Sequence, residues 1–417
     1  MDTAEGARYI VESLTQRGYV AYFTGGWVRD YIMGHPSSDI DIATNAPPPL
    51  ILDLFPHTVL VGFNFGVVIV IIAGHQYEVA SFRRDISYSN GRKPDAVALG
   101  SPEEDALRRD FTINGMFFDP TTEQVFDFVG GISDIKLGVI RTIGNPYERF
   151  VEDRLRMVRA VRFSARFGFV IEKETHEAIV ANAYSLFPAV AMERIWQELC
   201  KMAAGPYFEG AIIEMHRLGL LQEIFYFLRH THLHDIRQRV CCYPHFPDKC
   251  PTILYIVQLF PDATLSELLE LCKMFKSSTE NNKLVALFWQ GRELCNQAIE
   301  GIEPISLAIW AHYYAQPHSD LCLKIVAATL ADIDRDAFLL GHNLRRLVLA
   351  PHIQRITAKS PLVTAAMLKR EGIAPGPTMG KILKRAETLA IERDIHEAEA
   401  LLQQLKKDFL WPNKDTL

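Results

Sequence analysis

The chain has 417 residues, 48% hydrophobic and 23% charged, with a formal charge of −6, which suits a globular protein of two to four domains and excludes one whose whole surface is basic. No run reaches 18 apolar residues, the longest (Val67 to Ala73) being of strand length, and Met1-Asp2-Thr3-Ala4-Glu5 lacks a charged-then-apolar signal pattern, so a cytoplasmic location without membrane association is expected. Seven cysteines without framework spacing predict reduced thiols.

In chain order, residues 4 to 17 carry apolar positions at helical spacing (Ala7, Ile10, Val11, Leu14), and Tyr19 to Phe23 reads as a strand. Gly25 and Gly26 then allow the backbone to approach a ligand, and Val28 to Met33 reads as a short helix whose first amides could receive an anion. A strand follows. Residues two apart on a strand share a face at about 6–7 Å, so Asp39 and Asp41 point one way and Ile40 and Ile42 the other. Paired carboxylates repel and raise each other's pKa; a divalent cation resolves this, and hard oxygen ligands favour magnesium. The plainer alternative is a solvated strand end.

Pro47-Pro48-Pro49 stops that strand, Leu50 to Phe55 is a short helix, and Val59 to Val61, Val67 to Ile72 and Tyr77 to Phe82 complete a small mixed sheet. Glu78 is placed to add a third carboxylate, or else to face solvent from an edge. Arg83, Arg84 and Asp85 open a polar, mobile loop through Pro94 with a turn signal at Asn90-Gly91. Glu103 to Phe117 reads as one amphipathic helix with Asp105 and Arg109, and Asp110 and Asn114, four apart. Val125 to Val129 is a further strand closed by Gly130-Gly131. Beyond about residue 145 strands cease and helices follow, beginning with Pro146 to Phe167, Glu172 to Leu186 and Ala191 to Ala203. The expected class is α+β, a small mixed-sheet head followed by an all-helical remainder without a fixed repeat.

Within the helix around Val151 to Arg159, Asp153 and Arg156 are three apart, and Arg159 and Arg162 continue the arginines. An intrahelical salt bridge is the plain account, worth a few tenths of a kcal/mol. Hydrogen-bond polarity gives a sharper one. A carboxylate only accepts and a guanidinium only donates, so the pair matches an edge that offers an amino donor beside a ring-nitrogen acceptor. Cytosine and adenine present that edge; guanine and uracil would leave buried polar groups unpaired.

Two other clusters carry less. His230, His232, His234, Cys241, Cys242, His245 and Cys250 lack the paired spacing of a closed zinc site and read as a Pro-rich surface loop, and His234-Asp235 lacks the further ligands of a phosphohydrolase. Lys381, Lys384 and Arg385 share a helix face that suits RNA phosphates, although nearby Glu387, Glu392 and Glu397 fit an ordinary solvated helix equally well.

Five ordered stretches together resemble the bacterial class II tRNA nucleotidyltransferases (CCA-adding enzymes) and the similar bacterial poly(A) polymerases, within the polymerase-beta-like superfamily. They are Gly25-Gly26-Trp27-Val28-Arg29-Asp30 with Asp39-Ile40-Asp41, Arg108 to Asn114, Gly130-Gly131 with Asp134, Glu152 to Arg156, and Glu193-Arg194-Ile195; Gly372 to Gly380 is similar to a tail segment of the CCA-adding type. The resemblance implies a nucleotidyltransferase head (1–140), neck (141–205), body (206–320) and tail (321–417), with tRNA along the body and tail. It implies that Asp39 and Asp41 hold two Mg2+ ions, to which the strand reading adds Glu78 as a further candidate ligand. Gly26 and Arg29 would meet the triphosphate, Arg109, Asp110 and Asn114 the ribose and phosphates, and Asp153, Arg156, Arg159 and Gly25 the nucleotide, the first two as template for the base. The implied activity is addition of CCA to tRNA 3′ ends from CTP and ATP, without an obligatory protein partner.

Gly115 departs from the family's usual alanine and Asn90 from its usual loop aspartate, and Phe63-Asn64-Phe65 stands where poly(A) polymerases carry an Arg-rich stretch. That last difference favours CCA addition, and the full length of the loop from Arg83 to Pro94 disfavours an enzyme restricted to adding C. Poly(A) addition is the alternative activity, and a catalytically inactive RNA-binding relative the alternative of another class.

Overall fold

A computed structural model describes residues 1–35, 37–62, 66–87, 96–301, 304–408 and 411, in two compact units, Met1–Arg237 and Gln238–Leu417. The first unit begins with helix α1 (Thr3–Thr15), started by a capping box in which Asp2 accepts from the Glu5 amide and Glu5 from the Asp2 amide, both at 2.8 Å. Strand β1 (Ala21–Thr24), helix α2 (Gly26–Ile32), strand β2 (Asp41–Thr44) and helix α3 (Pro48–Leu54) follow, then strands β3 (Thr58–Gly62), β4 (Val67–Ile72) and β5 (His75–Ser81). With β8 (Met116–Asp119) and β9 (Gln124–Asp127) they form a seven-stranded sheet in the order β3-β4-β5-β2-β1-β8-β9, in which β2 and β5 run parallel and the other pairs antiparallel.

Alternation along β2 positions the site. Ile42 is fully buried in the larger core with Val68, Val70, Tyr77 and Val79, against Ala7, Ile10, Val11 and Leu14 of α1. The opposite face carries the smaller cluster of Ala43, Phe82, Ala106 and Phe117. Burying an isoleucine stabilises by about 1.5–3 kcal/mol, and a one-residue slip would exchange Ile42 for the Asp41 carboxylate, so the register is strongly specified. Ile42 pairs Val79 across β2 and β5; one residue back on each strand stand Asp41 and Glu78, on the face away from α1.

Four expectations are corrected. Residues 103–117 are three elements rather than one helix: α4 (Pro102–Leu107), a 3-10 turn over Thr112–Asn114, and β8. Here the apolar run Met116 to Phe118 gains the edge of β1 as a partner, which local periodicity does not register. The helix expected over 146–167 breaks into α6 (Pro146–Glu152) and α7 (Leu155–Phe167), because Asp153 has extended backbone (φ −147°, ψ 103°). Strands do not cease at 145, since β10 (Val139–Ile140) pairs in parallel with β11 (Val170–Ile171). Arg83, Arg84 and Asp85 lie on a strand, β6 (Arg83–Ser87), paired with β7 (Ala96–Leu99), and not in a loop; Asn90, the rest of that loop and Phe63-Asn64-Phe65 lie outside the described residues.

The first unit continues with α5 (Gly131–Leu137) before β10, then α8 (Lys173–Asn182), the short α9 (Leu186–Ala189), α10 (Met192–Ala203) and α11 (Phe208–Arg217). In the second unit every regular element among the described residues is helical, from the 3-10 turn Tyr243–His245 to Ala398–Asp408, and its C-terminal part packs around Leu368, Ile382, Leu389 and Leu405. No disulfide joins the seven cysteines, in keeping with reduced thiols.

Candidate active site

A cleft of about 460 Å3 opens in the first unit between α2, the start of β2, the segment joining α4 to β8, and α7. Its wall carries Arg29, Arg108, Arg109, Arg156, Arg159 and Arg166 against Asp41, Asp110 and Asp153, six cations to three anions. That surplus suits a ligand as anionic as a nucleoside triphosphate.

Gly25 joins β1 to α2 at φ +71°, and a Cβ there would stand 3.4 Å from Asp41 Oδ2 and 3.6 Å from Arg109 Nη1. The positive φ favours glycine here, while a Cβ would make only ordinary contact with the acid and the arginine. Arg29 is 3% exposed, donates Nε to Asp30 Oδ1 at 2.8 Å and Nη1 to Asn114 Oδ1 at 2.6 Å, and lies 4.6 Å from the Phe167 ring centre. It is locked in place before any ligand arrives.

Burial first, then the charges of Glu78 and Asp39, push the Asp41 carboxyl up to about 6, with Arg109 opposing. Asp39 is exposed and precedes β2 instead of lying on it, and Glu78 is also exposed. Neither lines the cleft wall, but both act on Asp41 through their charge.

The turn after α4 is fastened from three sides. Asp105 pairs with Arg108 at 2.6 Å and Arg109 at 2.9 Å. Asp110 accepts from Arg159 Nη2 at 2.5 Å and Nε at 2.8 Å, and from Asn114 Nδ2 at 3.0 Å. Burial alone would raise Asp110; Arg159 and the Asn114 hydrogen bond outweigh it and hold the carboxyl well below the usual range. Arg149 of α6, which sequence reasoning missed, donates to the Arg108 and Arg109 carbonyls, the latter at 2.8 Å. Only the fold brings it within reach, across forty residues.

The Gly130-Gly131 and Asp134 motif supports the same turn. Asp134 accepts from Thr112 Oγ1 at 2.7 Å, and a Cβ on Gly131 would meet the Thr112 carbonyl at 2.4 Å. Gly131→Ala is expected to cost about 1–3 kcal/mol through overpacking against backbone that cannot turn aside. Thermal unfolding checks this, and the same variant should bind nucleotide more weakly. At Gly115 a Cβ would meet Val129 at 2.8 Å and Ile143 at 2.9 Å, so these neighbours occupy the space the family's usual alanine would need.

Asp153 and Arg156 do not pair with each other as the helical spacing suggested. From its extended position Asp153 accepts from Arg194 Nη2 at 2.8 Å and Nη1 at 3.3 Å, and from the Leu155 amide at 3.1 Å. Arg156 donates to Glu152 at 3.0 Å and to the carbonyls of Arg149 at 3.1 Å and Arg108 at 3.2 Å. Each side chain therefore has its own orienting partner, which gives Glu152 and Arg194 a physical role. The face of α7 toward the cleft runs Arg156, Arg159, Phe163, Arg166. Phe163 and Arg166 were missed, although continuing the 3-and-4 spacing past Arg159 points to them; Arg162, which sequence reasoning took as the next member, lines a different cavity.

In the second unit, Arg385 is occupied by Asp408 at 3.4 Å and Glu392 at 3.9 Å, while Lys381 and Lys384 are exposed.

Residues 21–141 match the family model for the poly A polymerase head domain, and residues 168–231 the model for a probable RNA and SrmB-binding site of polymerase A. The CCA-adding enzyme of Ligilactobacillus salivarius is 32% identical over 413 residues, 97% of each chain. The chain belongs to the CCA-adding enzyme family. Another relative, the CCA-adding enzyme of Geobacillus stearothermophilus, is 42% identical over 212 residues, 51% of this chain and 52% of its own. The crystal structure of the Bacillus stearothermophilus CCA-adding enzyme in complex with CTP superposes with a TM-score of 0.79 at 25% identity, covering 98% of this chain and 99% of that one.

Nucleotidyltransferases generally use divalent metal ions, and in this family member the carboxylates around Asp41 fit one. They are hard oxygen donors, and a cation would offset both the burial and, after it, the neighbouring carboxylate charges that raise Asp41. The one grouping of three His, Cys, Asp or Glu donor atoms within 4.8 Å of one another among the described residues lies instead in the second unit, at His352, Asp394 and His396. It does not include the histidines and cysteines of 230–250. Arg355 donates to His352 Nδ1 at 3.0 Å, so His352 Nε2 keeps its proton and donates it to Asp394 at 3.0 Å. That tautomer suits a structural hydrogen bond rather than a metal ligand.

Proposed function

We propose that this chain adds C, C and A to tRNA 3′ ends from CTP and ATP, releasing pyrophosphate. The observation that carries this reading is a single cleft holding both the Asp41 carboxylate and the separately oriented acceptor and donor of Asp153 and Arg156. The names of its relatives, and the CTP complex of one of them, agree with it.

In this proposal Asp153 accepts from the amino group of cytosine or adenine, and Arg156 donates to the adjacent ring nitrogen. Arg159, Asp110 and Asn114 set the ribose, while Gly25, Gly26, Arg29 and Arg109 receive the triphosphate. Asp39 and Asp41, with Glu78 beside them, hold two magnesium ions. When bound, magnesium activates the primer 3′-hydroxyl and stabilises charge on the α-phosphate and the leaving pyrophosphate. Head, neck, body and tail at 1–140, 141–205, 206–320 and 321–417, tRNA contact by Lys381 and Lys384, and a cytoplasmic location belong to the same proposal. No helix among the described residues is long and apolar enough to cross a membrane.

The test is extension of tRNA transcripts ending at the discriminator base, at C or at CC, with magnesium and CTP, ATP or both. Addition that stops at CCA is expected; long A tails would show a poly(A) polymerase, and binding without extension an inactive RNA-binding relative.

A further inference from the structure

A second cavity, of about 560 Å3, lies beside α7 and is lined by Arg162, Arg166, Lys201 and Tyr207 around the turn from α10 to α11. Its size falls in the roughly 300–1,000 Å3 range of ligand sites. Arg166 lines both this cavity and the nucleotide cleft, so the two adjoin at that side chain.

The charges in this wall are incompletely matched. The Arg162 side chain is only 9% exposed and donates Nε to Glu198 Oε2 at 2.5 Å. Its guanidinium also lies over the Phe163 ring, 3.9 Å from the ring centre, and no second hydrogen bond of this side chain is seen among the described residues. Glu198 is buried and also faces Lys201 at 3.4 Å and Arg159 at 3.9 Å, so one carboxylate serves three cations. Arg166 lies over the Phe167 ring, 5.0 Å from its centre, and its one acidic partner among the described residues is Asp30, at 3.4 Å, which Arg29 already holds at 2.7 Å. Among the described residues no acidic side chain lines the cavity. Beside these cations Tyr207 is 58% exposed.

Cations along a groove with an exposed aromatic ring are the pattern that holds single-stranded nucleic acid, phosphate on charge and base on ring. Pyrophosphate would engage the cations and leave the ring unused. We propose that this cavity holds one nucleotide of the single-stranded 3′ end of the RNA primer, its phosphate on Arg162, Arg166 and Lys201 and its base against Tyr207. The proposal rests on the transferase reading above, and it is consistent with the match of residues 168–231, which include Lys201 and Tyr207, to an RNA-binding family model.

The experiment measures binding of a tRNA transcript ending in CC, across salt concentrations, to full-length wild type, Lys201→Ala and Tyr207→Ala, with CTP affinity and pyrophosphate inhibition measured alongside. Both side chains are more than half exposed, at 56% for Lys201 and 58% for Tyr207, so neither substitution threatens folding. Tyr207→Ala is expected to weaken tRNA binding about tenfold, and Lys201→Ala to reduce the slope of log affinity against log salt by about 0.7, with CTP affinity unchanged. Wild-type tRNA affinity and salt slope in both variants would overturn the proposal. So would weakened pyrophosphate inhibition with tRNA binding intact, which would make the cavity a pyrophosphate route. Wild-type protein that extends no tRNA at all would overturn the transferase reading itself, and that control is read before any variant.

Discussion

Asp41→Ala should lower the rate of nucleotide addition at least about a thousandfold while leaving tRNA affinity close to wild type. Metal-assisted charge stabilisation at a phosphoryl centre is worth several kcal/mol, and each 1.4 kcal/mol or so is tenfold in rate. Asp41 is the carboxylate on which the site converges: it lines the cleft, abuts Gly25 and feels both Asp39 and Glu78. Single-turnover extension of a CC-ending transcript, paired with a filter-binding measurement, checks the prediction. Retained turnover in this variant and in Asp39→Ala would remove the two-metal assignment.

The raised Asp41 pKa adds a dependence on pH. Its folded value of about 6 lies above the 3.8 of a free aspartate, so the folded state binds this proton more tightly. The associated stability is complete below about pH 4 and lost as pH rises through 6. Without divalent ions, Asp41→Asn should therefore melt at a higher temperature than wild type at pH 7.5, because asparagine removes a buried charge and, with it, the repulsion from Glu78 and Asp39. If Asp41 holds magnesium as proposed, the ion competes with the same proton, so the magnesium concentration for half-maximal activity should climb as pH falls through 6. A magnesium titration flat from pH 5 to 8 would contradict the assignment.

Asp153→Ala should weaken the preference for CTP and ATP over UTP and GTP by about 10- to 100-fold, the worth of one hydrogen bond to a charged group at roughly 1.5–3 kcal/mol. Competition between labelled nucleotides during extension measures this directly. Unchanged preference would remove the template role. Arg194 reaches Asp153 from α10 at 2.8 Å without lining the cleft, so it is a positioning residue. Arg194→Ala should give the same loss of preference in weaker form, and Arg194→Lys should recover part of it. A merely structural role would lower stability and leave nucleotide preference where it was.

How much of this was legible depends on the range of the interaction that decides each feature. Strand alternation depends only on neighbours in sequence, and it placed Asp41 opposite Ile42 correctly. The parallel pairing of β2 with β5, which brings Glu78 beside Asp41, was an open alternative in the sequence, because period-2 patterning says which face a residue takes and not which strand lies next to it. The run 103–117 was misread as one helix for the same reason, its last residues being stabilised by hydrogen bonds to β1.

By itself the sequence determined the chemical kinds of group available: the carboxylates of 39, 41 and 78, the glycine corner at 25, and an acceptor and a donor at 153 and 156 whose polarity matches the edge of cytosine and adenine. Those properties belong to single side chains and short spacings. Only the tertiary structure decided how each is held, with Arg194 on Asp153, Glu152 on Arg156 where the helix breaks, Arg159 on Asp110, and Arg29 on Asn114 across 85 residues. A carboxylate's readiness to accept is local chemistry, but the direction in which it accepts is set by whichever guanidinium the fold brings against it.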